Sequence, residues 1–417
     1  MDGRLSRRAL LGAGAATGVA ALVVGCSDNG DGGSASAGDS GSATHRGRSW
    51  VDHLGAHQPG ITTPAPEHVV LAGFDTTATD ADELRRFLQA LADETDALAS
   101  QTIPTDPNDL LPPPDNGILG FTAEPDDLTI TLGIGAALFD ERFGLADRKP
   151  TELIRMPVFP NDEPHPDSSH GDLLLQICGG TEDTVTHALR RLMRATRAGL
   201  TLRWMANGFV RPNTLTEGQV STRNLLGFKD GTANPSPTSD ELMDELVWVQ
   251  PGDDEPSWAA GGTYQVVRVI RNHVEFWDRT ALRTQELIMG RRKESGAPLD
   301  GEDEVDVPHF DQDPDGTLTP LTAHIRLANP RTAATEKNRI LRRGYNYANG
   351  FTADGQLDQG LLFVCFQRSL NDGFMTVQTR LNGEALEEYI RPVGGGFFFV
   401  PPGRSKAGEM FAAGLFR

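Results

Sequence analysis

Two stretches of the chain repeat one rhythm, in which short apolar runs of period two alternate with longer runs of period near 3.6, and this restricts the fold most. In the first stretch, residues 68–74, 128–133 and 171–178 read as strands, and 204–210 as a further one. Helices are predicted between them. One covers 80–99, with Leu84, Leu88 and Leu91 on one face and Thr79 and Asp82 at capping-box spacing. The other covers 184–198, with arginines on its polar side. The second stretch begins with a strongly alternating strand, 262–270. A helix over 275–289 follows, with Trp277 and Leu282 toward its core, then a buried-type strand over 360–367 and a helix over 374–389. This order predicts an α+β fold in two similar halves, antiparallel sheets with helices on one face.

The ends of this region differ in kind from it. Ser6-Arg7-Arg8-Ala9-Leu10-Leu11 is a twin-arginine start, followed by an Ala/Gly-rich apolar run too short for a membrane span. Val23-Val24-Gly25-Cys26 has the form of a lipobox, so residues 1–26 are expected to be an export signal ending in a lipidated cysteine. The twin-arginine route carries folded proteins, which favours one loaded with a cofactor beforehand. Residues 27–60 are rich in Gly, Ser, Ala and Asp and read as a flexible tether, with His45, His53 and His57 in it on no fixed scaffold. The formal charge of −20 disfavours nucleic acid and an anionic membrane surface as partners, leaving a lipid anchor as the expected link to a membrane. Cys178 and Cys365 each lie in a strand-like run and read as buried free thiols; they make no zinc or iron–sulfur pattern.

Chemistry concentrates in two places. In Asn224-Leu225-Leu226-Gly227-Phe228-Lys229-Asp230-Gly231-Thr232-Ala233-Asn234-Pro235, two glycines bracket one aspartate within an apolar segment. The glycines permit close backbone approach or positive φ, and they hold Asp230 beside whatever is approached. The second place is Thr322-Ala323-His324-Ile325-Arg326-Leu327-Ala328-Asn329-Pro330, with the pair Arg342-Arg343 farther on.

Gly227-Phe228-Lys229-Asp230-Gly231, extended through Asn234-Pro235, resembles the Gly-x-x-Asp-Gly motif of the dye-decolorizing haem peroxidases. The His324 segment is similar to that family's proximal-histidine segment. Residues 171–177 and Gly394-Gly395-Gly396-Phe397-Phe398-Phe399-Val400-Pro401-Pro402-Gly403 match it further, so the likeness spans about 62–417 and is nearest to the exported, twin-arginine branch. The resemblance implies two ferredoxin-like modules of dimeric α+β barrel type, 62–235 and 236–417, with one haem b in the second. It implies that His324 ligates the iron while Gly227, Phe228 and Gly231 approach the haem, and that Asp230 is the distal acid/base. Arg342 is the first choice for the distal arginine, with Arg343 meeting a haem propionate, although the adjacent pair leaves the order open. An acidic residue is expected to accept the second N–H of His324; Glu384 is the choice, with Asp372, Glu387 and Glu388 open.

The implied activity is reduction of hydrogen peroxide through an oxoferryl state that oxidises dyes, phenols or another small-molecule reductant. Trp204, Trp248, Trp258, Trp277, Tyr345, Tyr347 and Tyr389 could relay electrons to the surface, for donors too bulky to enter. Two alternatives stand beside this: a deferrochelatase-like enzyme that releases iron from haem or modifies the porphyrin, and a non-enzymatic haem-binding lipoprotein. The branch includes peroxidases of iron-uptake systems, which would be the partner, and a homo-oligomer is open.

Overall fold

The computed structural model describes residues 48–417 except 101–102, 106–107, 212 and 215–219. The twin-arginine motif, the lipobox, Cys26 and His45 lie outside the described residues.

The first module runs β1 (His68–Thr76), α1 (Ala81–Ala99), β2 (Thr129–Gly135), β3 (Leu173–Gly179), α2 (Glu182–Thr196) and β4 (Leu200–Phe209). Its strands pair in the order β4-β1-β3-β2, all antiparallel. A connecting region follows, with β5 (Asn213–Thr214), β6 (Val220–Arg223), β7 (Lys229–Asp230) and α3 (Asp240–Leu246). The second module holds β8 (Thr263–Asn272), α4 (Val274–Trp277), α5 (Leu282–Met289), α6 (His324–Ala328), β9 (Leu341–Arg342), β10 (Tyr345–Phe351), β11 (Leu357–Gln367), α7 (Thr376–Leu381) and β12 (Ile390–Val400). Its four long strands pair as β12-β8-β11-β10. Both modules have the ferredoxin-like β-α-β-β-α-β order. β2 joins β12 (Phe398 opposite Gly135), and β10 meets β4 at Asn346 and Phe209, which closes the sheet on itself. Closure leaves no long unpaired edge between the modules. The duplicated rhythm of the sequence is thus a duplicated topology.

Several local expectations are corrected. The cap of α1 is Asp80, whose side chain accepts from the Glu83 N–H, while Glu83 reaches back to the Thr79 N–H; the N-cap sits one residue later than Thr79. On α2, Arg191 is buried and bonded to Glu94 and Asp115, so that arginine does not lie on a solvated face. The helix expected over 275–289 breaks after Trp277 and restarts at Leu282; Trp277 is wholly buried, but Leu282 is exposed. The helix expected over 374–389 likewise stops at Leu381, and Gly383 takes the left-handed φ of +81° that ends it. The tether ends earlier than residue 60. Arg48 pairs with Asp126, His57 stacks on Trp248, and buried Gln58 donates to the carbonyls of Leu132 and Pro401. A composition-based reading misses these contacts because Gln58 is satisfied by backbone groups distant in sequence. His53 bonds Asp96 and His57 the Gly261 carbonyl, and no metal-holding group of His, Cys, Asp and Glu occurs among the described residues. Cys178 and Cys365 are both buried and free.

β1 approaches β4 closely at Gly73, where a register shift also falls. A Cβ there would lie 2.4 Å from the Trp204 Nε1, whose N–H donates to the His170 carbonyl. The Gly73→Ala substitution is therefore expected to cost about 1–3 kcal/mol of stability through overpacking. A lowered midpoint of denaturant unfolding with bound haem unchanged at low denaturant would show it; an unchanged midpoint would mean that the indole has room to move.

Candidate active site

One cavity takes its walls mainly from the second module. The connecting loop 224–233 closes it on one side, and Asn161 and Asp162 of the first module reach it on another.

The loop is built from its own polar groups. Asn224 Oδ1 accepts from the N–H groups of Leu226 and Phe228, and the Gly227 N–H returns to the Asn224 carbonyl. That tight closure needs the φ of +87° at Gly227, and Gly231 has φ +100°. The apolar residues of the motif anchor it: Phe228 is buried edge-on against Trp277, and the Trp277 indole N–H donates to the Leu226 carbonyl. Asp230 then projects from the short strand β7 into the cavity, with Gly231 beside it.

Asp230 meets Arg342. Its Oδ1 accepts from Arg342 Nη1 at 2.5 Å, in an ion pair with side chains 20% and 29% exposed. Asn234 fixes the arginine from behind: its amide donates to the Arg342 carbonyl at 2.7 Å and accepts the Arg342 N–H at 3.2 Å. Asn234 is thus a positioning residue, signalled by its place in the extended motif but not by its chemistry. Arg343 departs from expectation. Successive residues of a strand face opposite ways, so Arg343 turns from the cavity into the core, where it donates to the carbonyls of Thr63 and Pro64. It does not line the cavity.

His324 opens α6 and faces the same cavity. Its Nδ1 lies 2.8 Å from Glu384 Oε2 and 3.0 Å from Oε1, and Glu384 is buried. Among the described residues no protein group bonds Nε2. Burial works against a charged ring, but the Glu384 carboxylate outweighs it and holds His324 above the usual histidine value. Of the other acids considered, Asp372 pairs with Lys337 at the surface, and Glu387 lines the cavity. Arg326 serves the loop beneath, donating to the carbonyls of Thr319 and Asp313 at 2.8 Å each.

The remaining lining is apolar or cationic. Leu361, Phe363, Val377, Leu381 and Leu386 give it apolar walls, while Arg291, Arg331 and Arg339 also face it. Arg291 is pushed down to about 10 by burial and then by Arg331 and Arg342. Burial likewise lowers Arg331, with Arg339 adding to it. Clustered guanidinium groups in one wall favour an anionic occupant. Sequence reasoning missed these three, because arginines in loops outside any motif carry no distinguishing spacing. An apolar cavity with one available imidazole nitrogen, an Asp–Arg pair and an excess of guanidinium groups fits a metalloporphyrin carrying carboxylates.

Comparison with known proteins agrees with this geometry. The family model "Dyp-type peroxidase, N-terminal" matches residues 58–210, and "Dyp-type peroxidase, C-terminal" matches 221–405. The chain belongs to the Dyp-type peroxidase family. A deferrochelatase of Escherichia coli strain K12 is 51% identical over 365 residues, covering 87% of this chain and 86% of that one. Ferric DtpA from Streptomyces lividans superposes with a TM-score of 0.78 at 34% identity, over 88% of this chain and 96% of that one. A DyP-type peroxidase from Cellulomonas bogoriensis gives 0.77 at 33%, over 88% and 98%. Membership makes the chain a peroxidase, an oxidoreductase whose family chemistry depends on haem, and sets aside the non-enzymatic reading.

Proposed function

We propose that this Dyp-type peroxidase binds one haem b through His324 Nε2, reduces hydrogen peroxide on the side of Asp230 and Arg342, and oxidises dyes, phenols or similar one-electron donors. The supporting observation is that His324, Asp230 and Arg342 line one cavity while Glu384 occupies His324 Nδ1. The bound haem supplies the redox centre at which peroxide is reduced. The chain's own groups do the rest. Glu384 orients the imidazole and raises its basicity. Arg331 and Arg339 are available to the haem carboxylates, while Arg291 donates to the carbonyls of Gly296 and Glu304. Asp230 accepts a proton from peroxide and returns it to the leaving oxygen, and Arg342 stabilises the negative charge that develops there. Leu361 and Phe363 add apolar surface to the same cavity.

The deciding experiment is an absorption spectrum of the haem-reconstituted protein before and after one equivalent of hydrogen peroxide. The expected result is a ferric Soret band that shifts with peroxide and recovers when a dye is added. A band indifferent to peroxide would refute the reading. The name of the Escherichia coli relative supports a second reading, release of iron from the same bound haem. Metal-free porphyrin fluorescence growing during turnover would select it.

Glu384→Gln keeps a hydrogen-bond acceptor but removes the charge. It is expected to weaken haem retention about 10–100-fold and to raise the reduction potential of the iron, because the imidazole becomes a poorer donor. Haem transfer to apomyoglobin and a redox titration measure the two effects; an unchanged potential would deny Glu384 this role.

The N-terminal motifs support export by the twin-arginine route with lipid attachment at Cys26, and from there service to an iron-uptake system. Changing both Arg7 and Arg8 to Lys is expected to leave the protein in the cytoplasm. Normal export of that variant in a fractionation experiment would remove the proposal.

A further inference from the structure

Tyr264 lies on β8, the strand that brings Arg268 and Ile270 into the cavity wall. Residues two and four apart on a strand share a face, so Tyr264, Val266 and Arg268 point into one layer, with Tyr264 about 13 Å along the strand from Arg268. The Tyr264 ring is wholly buried and stands edge-on to Phe399 at 5.2 Å. It belongs to the same apolar cluster as Phe374, which lines the haem cavity.

Its hydroxyl is unusual in its partners. It donates to Glu255 in a short hydrogen bond and accepts the Glu152 N–H at 3.0 Å. Glu255 and Glu152 line a second cavity, together with the exposed Asp254 and the half-buried Asp372, and the other Glu255 oxygen accepts the Thr151 N–H at 2.8 Å. Arg339 lines both cavities and forms part of the wall between them. Burial holds the Glu255 carboxyl above the usual carboxylate range, which makes it a better proton acceptor. The other three tyrosines lack this arrangement. Tyr345 faces Arg343 and Cys178, Tyr347 makes a long bond of 3.4 Å to Asp358, and Tyr389 accepts from Thr280.

An electron leaving a phenol buried in apolar surroundings would strand a positive charge there, at high cost, unless its proton leaves too. The hydrogen bond to Glu255 provides that exit. We propose that Tyr264 is an internal one-electron donor to the haem site, with Glu255 as the acceptor of its phenolic proton. This rests on the peroxidase reading above. Peroxide reduction leaves oxidising equivalents at the haem site. One electron passes there from Tyr264, the O–H bond breaks, and the proton moves to Glu255 Oε1. An external one-electron donor, a phenol or aromatic amine, then reduces the phenoxyl, and Glu255 returns the proton. Atoms and charge balance over the cycle.

The test is freeze-quench electron paramagnetic resonance of the haem-loaded protein after one equivalent of hydrogen peroxide. The absorption spectrum is recorded alongside, and a Soret band that fails to respond would refute the peroxidase reading itself. Where the band responds, a radical signal is expected that narrows when the protein carries ring-deuterated tyrosine. Tyr264→Phe is expected to abolish it, and Glu255→Gln to slow its appearance at least tenfold and reduce its solvent deuterium isotope effect. A responding Soret band with no tyrosyl signal, a signal that survives Tyr264→Phe, or one that vanishes in Tyr345→Phe, Tyr347→Phe or Tyr389→Phe would overturn the proposal. Should Tyr264→Phe fail to fold, Glu255→Gln and these three variants still decide it.

Discussion

Replacing His324 with alanine is expected to leave a folded chain that no longer retains haem. The residue starts a short helix whose hold on the fold comes from elsewhere: Ala323 is wholly buried, and Arg326 ties the helix to the carbonyls of Thr319 and Asp313. Truncation at Cβ therefore removes the nitrogen donor without removing the scaffold. Loss of an outer partner such as Glu384 alone costs about 10–100-fold in affinity, so loss of the ligand itself should exceed about 100-fold. It also strands the buried Glu384 carboxylate, which further separates the variant from wild type. Gel filtration with detection at the Soret wavelength measures this, and full retention with an unchanged axial spectrum would remove His324 from its role.

The same histidine sets a pH dependence whose sign is fixed. In the haem-free protein it holds its proton above the usual histidine value because of Glu384. Its contribution to apo-protein stability is fully present below about pH 6.5 and is lost as pH rises through the raised value. Iron requires the neutral ring, so haem binding displaces a proton in that lower range. Haem affinity is accordingly expected to fall as pH falls below the raised value, approaching tenfold per unit, and to level off above it. Apo stability and haem affinity should move in opposite directions across this window.

Much of the fold could be read from residue pattern, because its elements are set by local periodicity. The strands β1, β3, β8 and β11 carry apolar runs or strong alternation, and each lies within about three residues of its expected bounds. Helix interruptions were harder to see. The break between Trp277 and Leu282 contains neither Gly nor Pro. It is held by side chains: Gln285 donates to the carbonyls of Trp277 and Thr280, and the Trp277 indole to the distant Leu226 carbonyl. At the site, Asp230, His324 and Arg342 stand out because each sits in a motif whose neighbours are unusual for a surface loop. Glu384 had no such marker, only a distance along the chain and a charge, and its 2.8 Å approach to His324 is a property of the folded chain. Arg343 was misread for a related reason: adjacent arginines look equivalent in one dimension, but the strand sends them to opposite faces. Tyr264 and Glu255 are nine residues apart in segments with no motif, so their hydrogen bond could be found only in three dimensions.

Asp230→Asn is expected to slow the reaction with hydrogen peroxide by about 10²–10⁴-fold while leaving haem bound, the range usual for loss of a positioned acid/base. The amide oxygen can still accept from Arg342 Nη1, so the loop and the arginine should keep their places, and the effect isolates proton transfer from geometry. Arg342→Leu removes the charge stabiliser instead and should cost about 10²–10³-fold. It also frees Asp230 from the ion pair that holds it in the cavity, so part of its cost is misplacement of the aspartate. The two effects are therefore not independent. If the pair acts as one unit on one step, the double variant should be little slower than the slower single variant, well short of the product of the two losses. Stopped-flow measurement of the Soret change under excess peroxide gives all four rates. Fully multiplicative losses would show that Asp230 and Arg342 act on separate steps, and a rate unchanged in Asp230→Asn would show that peroxide finds its proton acceptor elsewhere. The cycle also tests Asn234, which holds the backbone of Arg342 through two hydrogen bonds but touches no reacting atom. Asn234→Ala should lower the rate by misplacing the guanidinium, and in an Arg342→Leu background it should have almost no further effect.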